Sequence, residues 1–198
     1  MIARMAATAD SKRERRAKAH QATRASILDA ARRTVAPGGV RALSLRAVAA
    51  EAGFAPAALY SYFRNRDELL LALAADDLSG LARVVRLAAG NKESPLAAAL
   101  AQLQNADSLA SVASALPMAP GTSEAERLFN GRLIAVLTAL SETGGRRADS
   151  RAAQLDVVLL AAALTGLAVL GRSGRLDALG FAAEELIGRL EARFLDGV

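Results

Sequence analysis

One histidine, His20, and no cysteine stand in a chain of 198 residues. That inventory removes disulfides, thiolate nucleophiles and Cys-based metal sites, and it leaves a hydrolytic triad without a base beside any nucleophile. His20 itself lies in a polar stretch and reads as a solvated side chain. The carboxylate pairs Asp76-Asp77 and Glu184-Glu185 are adjacent in sequence and so do not face each other on a helix; they read as exposed faces. No phosphate-cradling glycine loop follows a strand pattern, and no metal-ligand spacing is present. The chain is therefore expected to be no enzyme, with no catalytic residue, no metal and no cofactor. The chemistry it does offer is cationic. Residues 1–66 hold 13 Lys and Arg against 4 Asp and Glu, a net +9, while residues 67–198 are net −4. A basic head on a mildly acidic body suits a polyanion such as nucleic acid. Within that head Arg41 and Arg46 sit near the start of a helix, where backbone N–H groups also favour a phosphate.

The elements that must position these cations are legible around them. Ser44 is a good N-cap, and Leu45, Val48, Ala49 and Ala52 recur at helical spacing behind it. Gly53 ends that helix where a left-handed backbone is cheap. Phe54 follows as a hydrophobic plug, and Pro56 opens a second helix at its first position, where a missing N–H costs nothing. Leu59 and Phe63 then point inward. Two short crossed helices joined at a glycine form a helix-turn-helix unit, whose second helix enters the DNA major groove. A preceding helix over 21–36 carries Ile27, Leu28, Ala31 and Val35 on one face and stops at Pro37-Gly38-Gly39, completing a three-helix head. Residues 1–20, rich in Arg and Lys and poor in apolar side chains, are expected to form a disordered basic arm.

The string SLRAVAAEAGFAPAALYSYFRNRDELL, residues 44–70, resembles the helix-turn-helix of TetR-family transcriptional regulators, and the match covers about residues 21–81. The resemblance rests on Ser44, Val48, Ala49, Ala52, Gly53, Leu59, Tyr60, Phe63, Arg66 and Leu69. It implies a DNA-binding head at 21–81, with the motif proper at 44–63. It also implies that Ser44, Tyr60, Tyr62 and Arg66 contact DNA, with Pro56 and Ala57 facing the groove floor. Two departures stand out. Ala55 replaces the serine or threonine common in the family, removing a cap hydroxyl and a phosphate contact. Arg66 replaces the usual lysine, which keeps the charge but not the shape. With Pro-Ala-Ala at its front, the motif has no Arg, Asn or Gln there to read a base bidentately.

The remainder is all helical by pattern. A long helix opens at Asn65-Arg66-Asp67-Glu68 and runs to about Ala89. Others start at Ser94-Pro95, at Thr122 or Ser123 with Glu126 placed for a capping box, and at Asp149 or Ser150. A final helix is expected from about Asp177 to Leu195, with Leu179, Leu186, Leu190 and Phe194 on one stripe. The apolar run Val157–Gly171 is 15 residues long, short of the roughly 20 a bilayer needs, so it reads as a buried helix and no membrane is expected. The N-terminus lacks a signal-peptide layout, and a cytoplasmic protein is expected.

Residues 82–198 resemble, more weakly, the family's ligand-binding and dimerisation domain. That resemblance implies a homodimer built on Ala162, Ala163, Gly166, Leu179, Leu186, Leu190 and Phe194. A pocket for a hydrophobic small molecule would be lined by Leu100, Leu103, Gln104, Met118, Phe129 and Leu133. The fold class is thus all-α: a three-helix head joined by a long helix to a helical body. The function implied is a ligand-responsive regulator, a repressor on a palindromic double-stranded DNA operator. A ligand-independent architectural DNA binder and a helical small-molecule carrier are the alternatives.

Overall fold

The computed structural model of the chain describes residues 2–106, 108–109, 123–143 and 149–195. Among them every regular element is a helix, and the chain divides into two compact units, Met1–Leu69 and Leu70–Val198. The division falls inside the long helix, where the sequence pattern draws it at 81/82.

In the first unit, α1 spans Ile2–Gly38. Its C-terminal half is the amphipathic segment, with Ile27, Leu28, Ala30, Ala31 and Val35 buried. The N-terminal half, expected to be disordered, is helical from Ile2. From Ile2 to Ala36 the chain has no Gly and no Pro and is dominated by Ala and Arg, both good helix formers. Growing outward from a packed segment, this stretch also avoids the nucleation cost. Gly39, at φ 62°, turns the chain into a single 3-10 turn, Val40–Ala42. The helix α2 covers Leu45–Ala52 and α3 covers Pro56–Leu59.

Between α2 and α3 the glycine is required. Gly53 lies at φ 72°, ψ 25°; its N–H donates to the Ala50 carbonyl, and the Phe54 N–H donates back to the Ala49 carbonyl at 2.9 Å. This pair of bonds is a Schellman motif, which satisfies carbonyls the helix end would otherwise orphan. The second helix is shorter than its apolar pattern suggests. It ends at Leu59, and single turns then carry the chain to Phe63, whose N–H donates to the Leu59 carbonyl at 2.9 Å. Leu59 and Phe63 are nevertheless both buried, as their spacing requires.

The long helix α4, Arg66–Gly90, is capped by Asn65, whose Oδ1 accepts from the Glu68 N–H at 2.8 Å. Glu68 Oε2 in turn accepts from the Arg64 N–H at 2.7 Å. Acidic Asp67 and Glu68 in the first turn also suit the helix dipole.

The second unit comprises the rest of α4 with α5 (Pro95–Gln104), α6 (Glu124–Thr143), α7 (Arg151–Arg172), α8 (Arg175–Ala178) and α9 (Ala183–Phe194). Caps explain the starts. Ser94 and Ser150 each accept from the N–H three residues on, and Ser123 with Glu126 forms a reciprocal capping box. Leu81, Val85, Leu96, Leu100, Val136, Leu140, Leu160, Leu164 and Ile187 make one core. Among the described residues, buried Asp77 accepts a hydrogen bond from the buried Ser108 hydroxyl inside this unit.

Two expectations for the body change. The final helix is not continuous: α8 ends and Gly180, at φ 76°, turns the chain before α9 begins. Leu179 therefore leaves the Leu186/Leu190/Phe194 stripe and stands 65% exposed. Nor is α7 a buried helix. It is 22 residues long with a mean hydropathy of 2.0 over its most apolar stretch, of which 17% is buried. By length and composition it could cross a membrane. Leu160, Leu164 and Ala168 pack inward. On the other side Leu155, Leu159, Ala162, Gly166 and Val169 are exposed at spacings of four, three, four and three. That is the heptad seam by which one helix packs along another.

Candidate nucleic-acid interface

The head builds its surface from short segments around α2 and α3. Ser44 Oγ accepts from the Ala47 N–H at 3.1 Å, starting α2 with its hydroxyl at the surface. Arg41 and Arg46 flank it, both exposed. Past the Gly53 turn, Ala55, Pro56, Ala57 and Ala58 form an exposed, small, apolar front, while Leu59 beneath them is fully buried. Tyr60 is 57% exposed. Its neighbour Tyr62 is half-buried.

Arg66, which the resemblance implies contacts DNA, has partners within the head. Its guanidinium turns inward: Nε donates to the Leu43 carbonyl at 3.0 Å and Nη2 donates to the Val40 carbonyl at 2.9 Å. Nη1 lies 3.6 Å from Asp67 Oδ1. The two carbonyls belong to the turn that carries Arg41 and leads into Ser44. Arg66 thus fixes the entry to α2. The planar fork of arginine reaches both carbonyls at once, which a single lysine ammonium does not. This gives a physical use for the departure from lysine at this position.

His20 is not a bare solvated side chain. Its ring stacks on Tyr62 with centroids 4.5 Å apart and planes 18° from parallel. One helical turn further along α1, the Arg24 guanidinium lies over the Phe63 ring, 5.2 Å from its centroid, a cation–π contact. A third tie, Arg33 Nε to Glu51 Oε1 at 2.6 Å, joins α1 to α2. These contacts were missed in the sequence, although His20, Arg24, Ile27 and Ala31 share one helical stripe and the buried members could have pointed to the others.

In the body, the residues expected to line a pocket gather around one core. Leu100 is buried in it, and Leu103, Phe129 and Leu133 pack against it. Gln104 approaches α7 so closely that its Nε2 lies 2.9 Å from where a Cβ on Gly171 would stand. Met118 lies outside the described residues. A groove of about 710 Å³ runs between α7 and α9, and Ala163, Gly166, Leu186, Leu190 and Phe194 are among the residues that line it. Ala162 is exposed on the same helix, and Leu179 is set apart on the turn already described.

A capped helix, a Schellman turn and a proline-started second helix with small exposed residues and a projecting tyrosine define a helix-turn-helix regulator head. Residues 27–73 match the family model of the bacterial regulatory proteins of the tetR family. The head thus matches the TetR-family N-terminal domain, and the chain has the fold seen in TetR-family transcriptional regulators. Solved structures agree on that fold. SCO4313, described as a regulatory protein, superposes with a TM-score of 0.68 at 22% identity over 91% of this chain and 98% of its own. A TetR-family transcriptional regulator from Streptomyces coelicolor gives 0.59 at 24% identity, over 87% and 99%. The regulator FadR from Bacillus subtilis, solved in complex with stearoyl-CoA, gives 0.57 at 18% identity, over 87% and 98%. No curated protein matches the sequence.

Proposed function

We propose that the chain is a homodimeric transcriptional repressor that binds a palindromic DNA operator and is released by a hydrophobic small molecule. The observation that carries the DNA reading is the exposed front of Ala55–Ala58 and Tyr60 beside a basic, Ser44-capped α2, in a head matched to the TetR family over residues 27–73. On this reading Ser44, Arg41, Arg46 and Tyr60 hold phosphates. Pro56 and Ala57 lie against the groove floor, where methyl contacts and DNA shape supply specificity. Tyr62 acts from behind, supported by His20.

The dimer reading draws on α7. A helix whose most apolar stretch has a mean hydropathy of 2.0 and whose outer heptad seam is bare calls for a partner surface, and a second copy of the same seam supplies one. An isologous dimer presents two heads to two half-sites, which matches a palindrome. Regulation follows from chain continuity. The first residues of α4 belong to the head and the rest to the body. A ligand that binds one body conformation better shifts the population of that conformation and, through it, DNA affinity. Leu103, Gln104, Phe129 and Leu133 remain the proposed lining for that ligand, which is apolar by the character of its surroundings. FadR's stearoyl-CoA makes long acyl thioesters a reasonable first probe.

Selection of bound fragments from total genomic DNA, followed by affinity measurement on the selected duplex, tests the reading. A two-fold symmetric site bound at least a thousandfold better than bulk DNA is expected. On that duplex Tyr60→Ala should weaken binding to all sequences alike. Enrichment of no sequence would overturn the repressor reading, and a Tyr60→Ala protein with full affinity would overturn the contact assignment.

A further inference from the structure

We infer that the N-terminal stretch of α1, residues 12–20, is a second DNA-contacting element, a preformed helical arm that carries Arg13 and Arg16 to backbone phosphates outside the half-site. The inference rests on the proposed DNA binding of the head. Between Lys12 and His20 the chain has five cations, Lys12, Arg13, Arg15, Arg16 and Lys18, against Glu14 alone, and every side chain from Lys12 to Gln21 is exposed. A basic tail by itself would be no argument. What gives this one a direction is the stripe to which its arginines belong.

Ala31, Ile27, Arg24, His20, Arg16 and Arg13 follow one another at spacings of four and three, so they share one face of α1. The structure shows what that face meets at each level. Ala31 and Ile27 are buried in the head, Arg24 lies over Phe63, and His20 stacks on Tyr62. Tyr62 sits two residues past Tyr60, at the end of the segment that presents the groove-facing front. The next two members of the stripe, Arg16 and Arg13, stand about 6 and 10 Å further along the helix axis. They project from the same face, beyond the edge of the recognition segment.

Duplex DNA carries about one charge per 1.7 Å of its axis, so a cation displaced by that distance along the duplex still meets phosphates. Being helical already, the arm loses less entropy on binding than a disordered tail does. His20 is then a positioning residue: its stack on Tyr62 aims the arm, and it need not touch DNA. A solubilising tail requires no such stack.

The test uses the full chain on its selected duplex, with affinity measured across salt concentrations. Arg13→Ala/Arg16→Ala should lower the slope of log affinity against log salt by about 1.8, at 0.9 per phosphate contact, and weaken binding about thirtyfold near 0.15 M salt. Its melting temperature should equal the wild type's, since both side chains are exposed. His20→Phe keeps a ring on Tyr62 and should retain wild-type affinity, whereas His20→Ala should lose part of what the double arginine variant loses. Wild-type protein that binds no duplex in a salt-dependent way would overturn the DNA reading itself. Wild-type protein that binds, with the double variant unchanged in slope and affinity, would overturn the arm alone. His20→Ala and His20→Phe behaving identically would overturn the positioning role.

Discussion

Replacing Arg66 by lysine separates two uses of one cation. A residue that holds a phosphate from the start of α4 is served by any positive charge, so Arg66→Lys would leave stability unchanged. In the structure the guanidinium instead donates to the Leu43 carbonyl at 3.0 Å and the Val40 carbonyl at 2.9 Å. Hydrogen bonds from a charged donor contribute roughly 1.5–3 kcal/mol each when sheltered. The Arg66 side chain is 42% exposed, so water competes and about 1 kcal/mol per bond is the better figure. A lysine ammonium reaches one of the two carbonyls, and the variant should lose about 1 kcal/mol; Arg66→Ala should lose about 2 kcal/mol. For a chain of this size that is a fall in melting temperature of about 2–4 °C for lysine and twice that for alanine. Amide exchange at Leu43, whose N–H donates to the Val40 carbonyl at 3.1 Å, should quicken in both. Because that turn carries Arg41 and leads into Ser44, operator affinity should fall about fivefold in Arg66→Lys, 1.4 kcal/mol being tenfold, with no change in salt slope. An Arg66→Lys protein as stable as the wild type would refute the internal role.

Three further substitutions bear on other parts of the account. Gly53→Ala should cost about 1–2 kcal/mol in urea unfolding through its φ of 72° alone, since no atom lies within 4 Å of the added Cβ; a fully tolerated alanine would mean the turn is not held left-handed. Ser44→Ala removes the cap on α2 and should cost about 1 kcal/mol, with faster exchange at the Ala47 amide that donates to it. Leu159→Glu, at a site 58% exposed in the single chain, should change the stability of an isolated chain by less than about 0.5 kcal/mol. The same change should convert a dimer to a monomer in sedimentation; a persisting dimer would move the interface off the α7 seam.

What the sequence made legible was whatever depends on neighbours along the chain. Ser44, Asn65, Ser94, Ser123 and Ser150 start helices because a short polar side chain can reach an N–H two or three residues on. Gly53 ends one because only its own backbone need be left-handed. Features set by partners distant in sequence were not legible. Arg66 bonds to carbonyls 23 and 26 residues away, and no local pattern distinguishes such a guanidinium from one bound to phosphate. In the arm of α1 polarity argues for disorder while propensity argues for helix, and the arm continues the packed half of the same helix. Leu179 fell from its stripe because one glycine, Gly180, ended a pattern that apolar spacing alone continued. The exposed seam of α7 escaped notice because hydropathy reports that a helix wants to be covered and not by what.

The most direct measurement of the central claim is the stoichiometry and salt dependence of the full chain on a duplex selected from genomic DNA. Two chains per symmetric duplex, with affinity falling steeply as salt rises and at least a thousandfold preference over scrambled sequence, is the predicted result. Equal affinity for selected and scrambled duplexes, or a complex with a single chain, would contradict it.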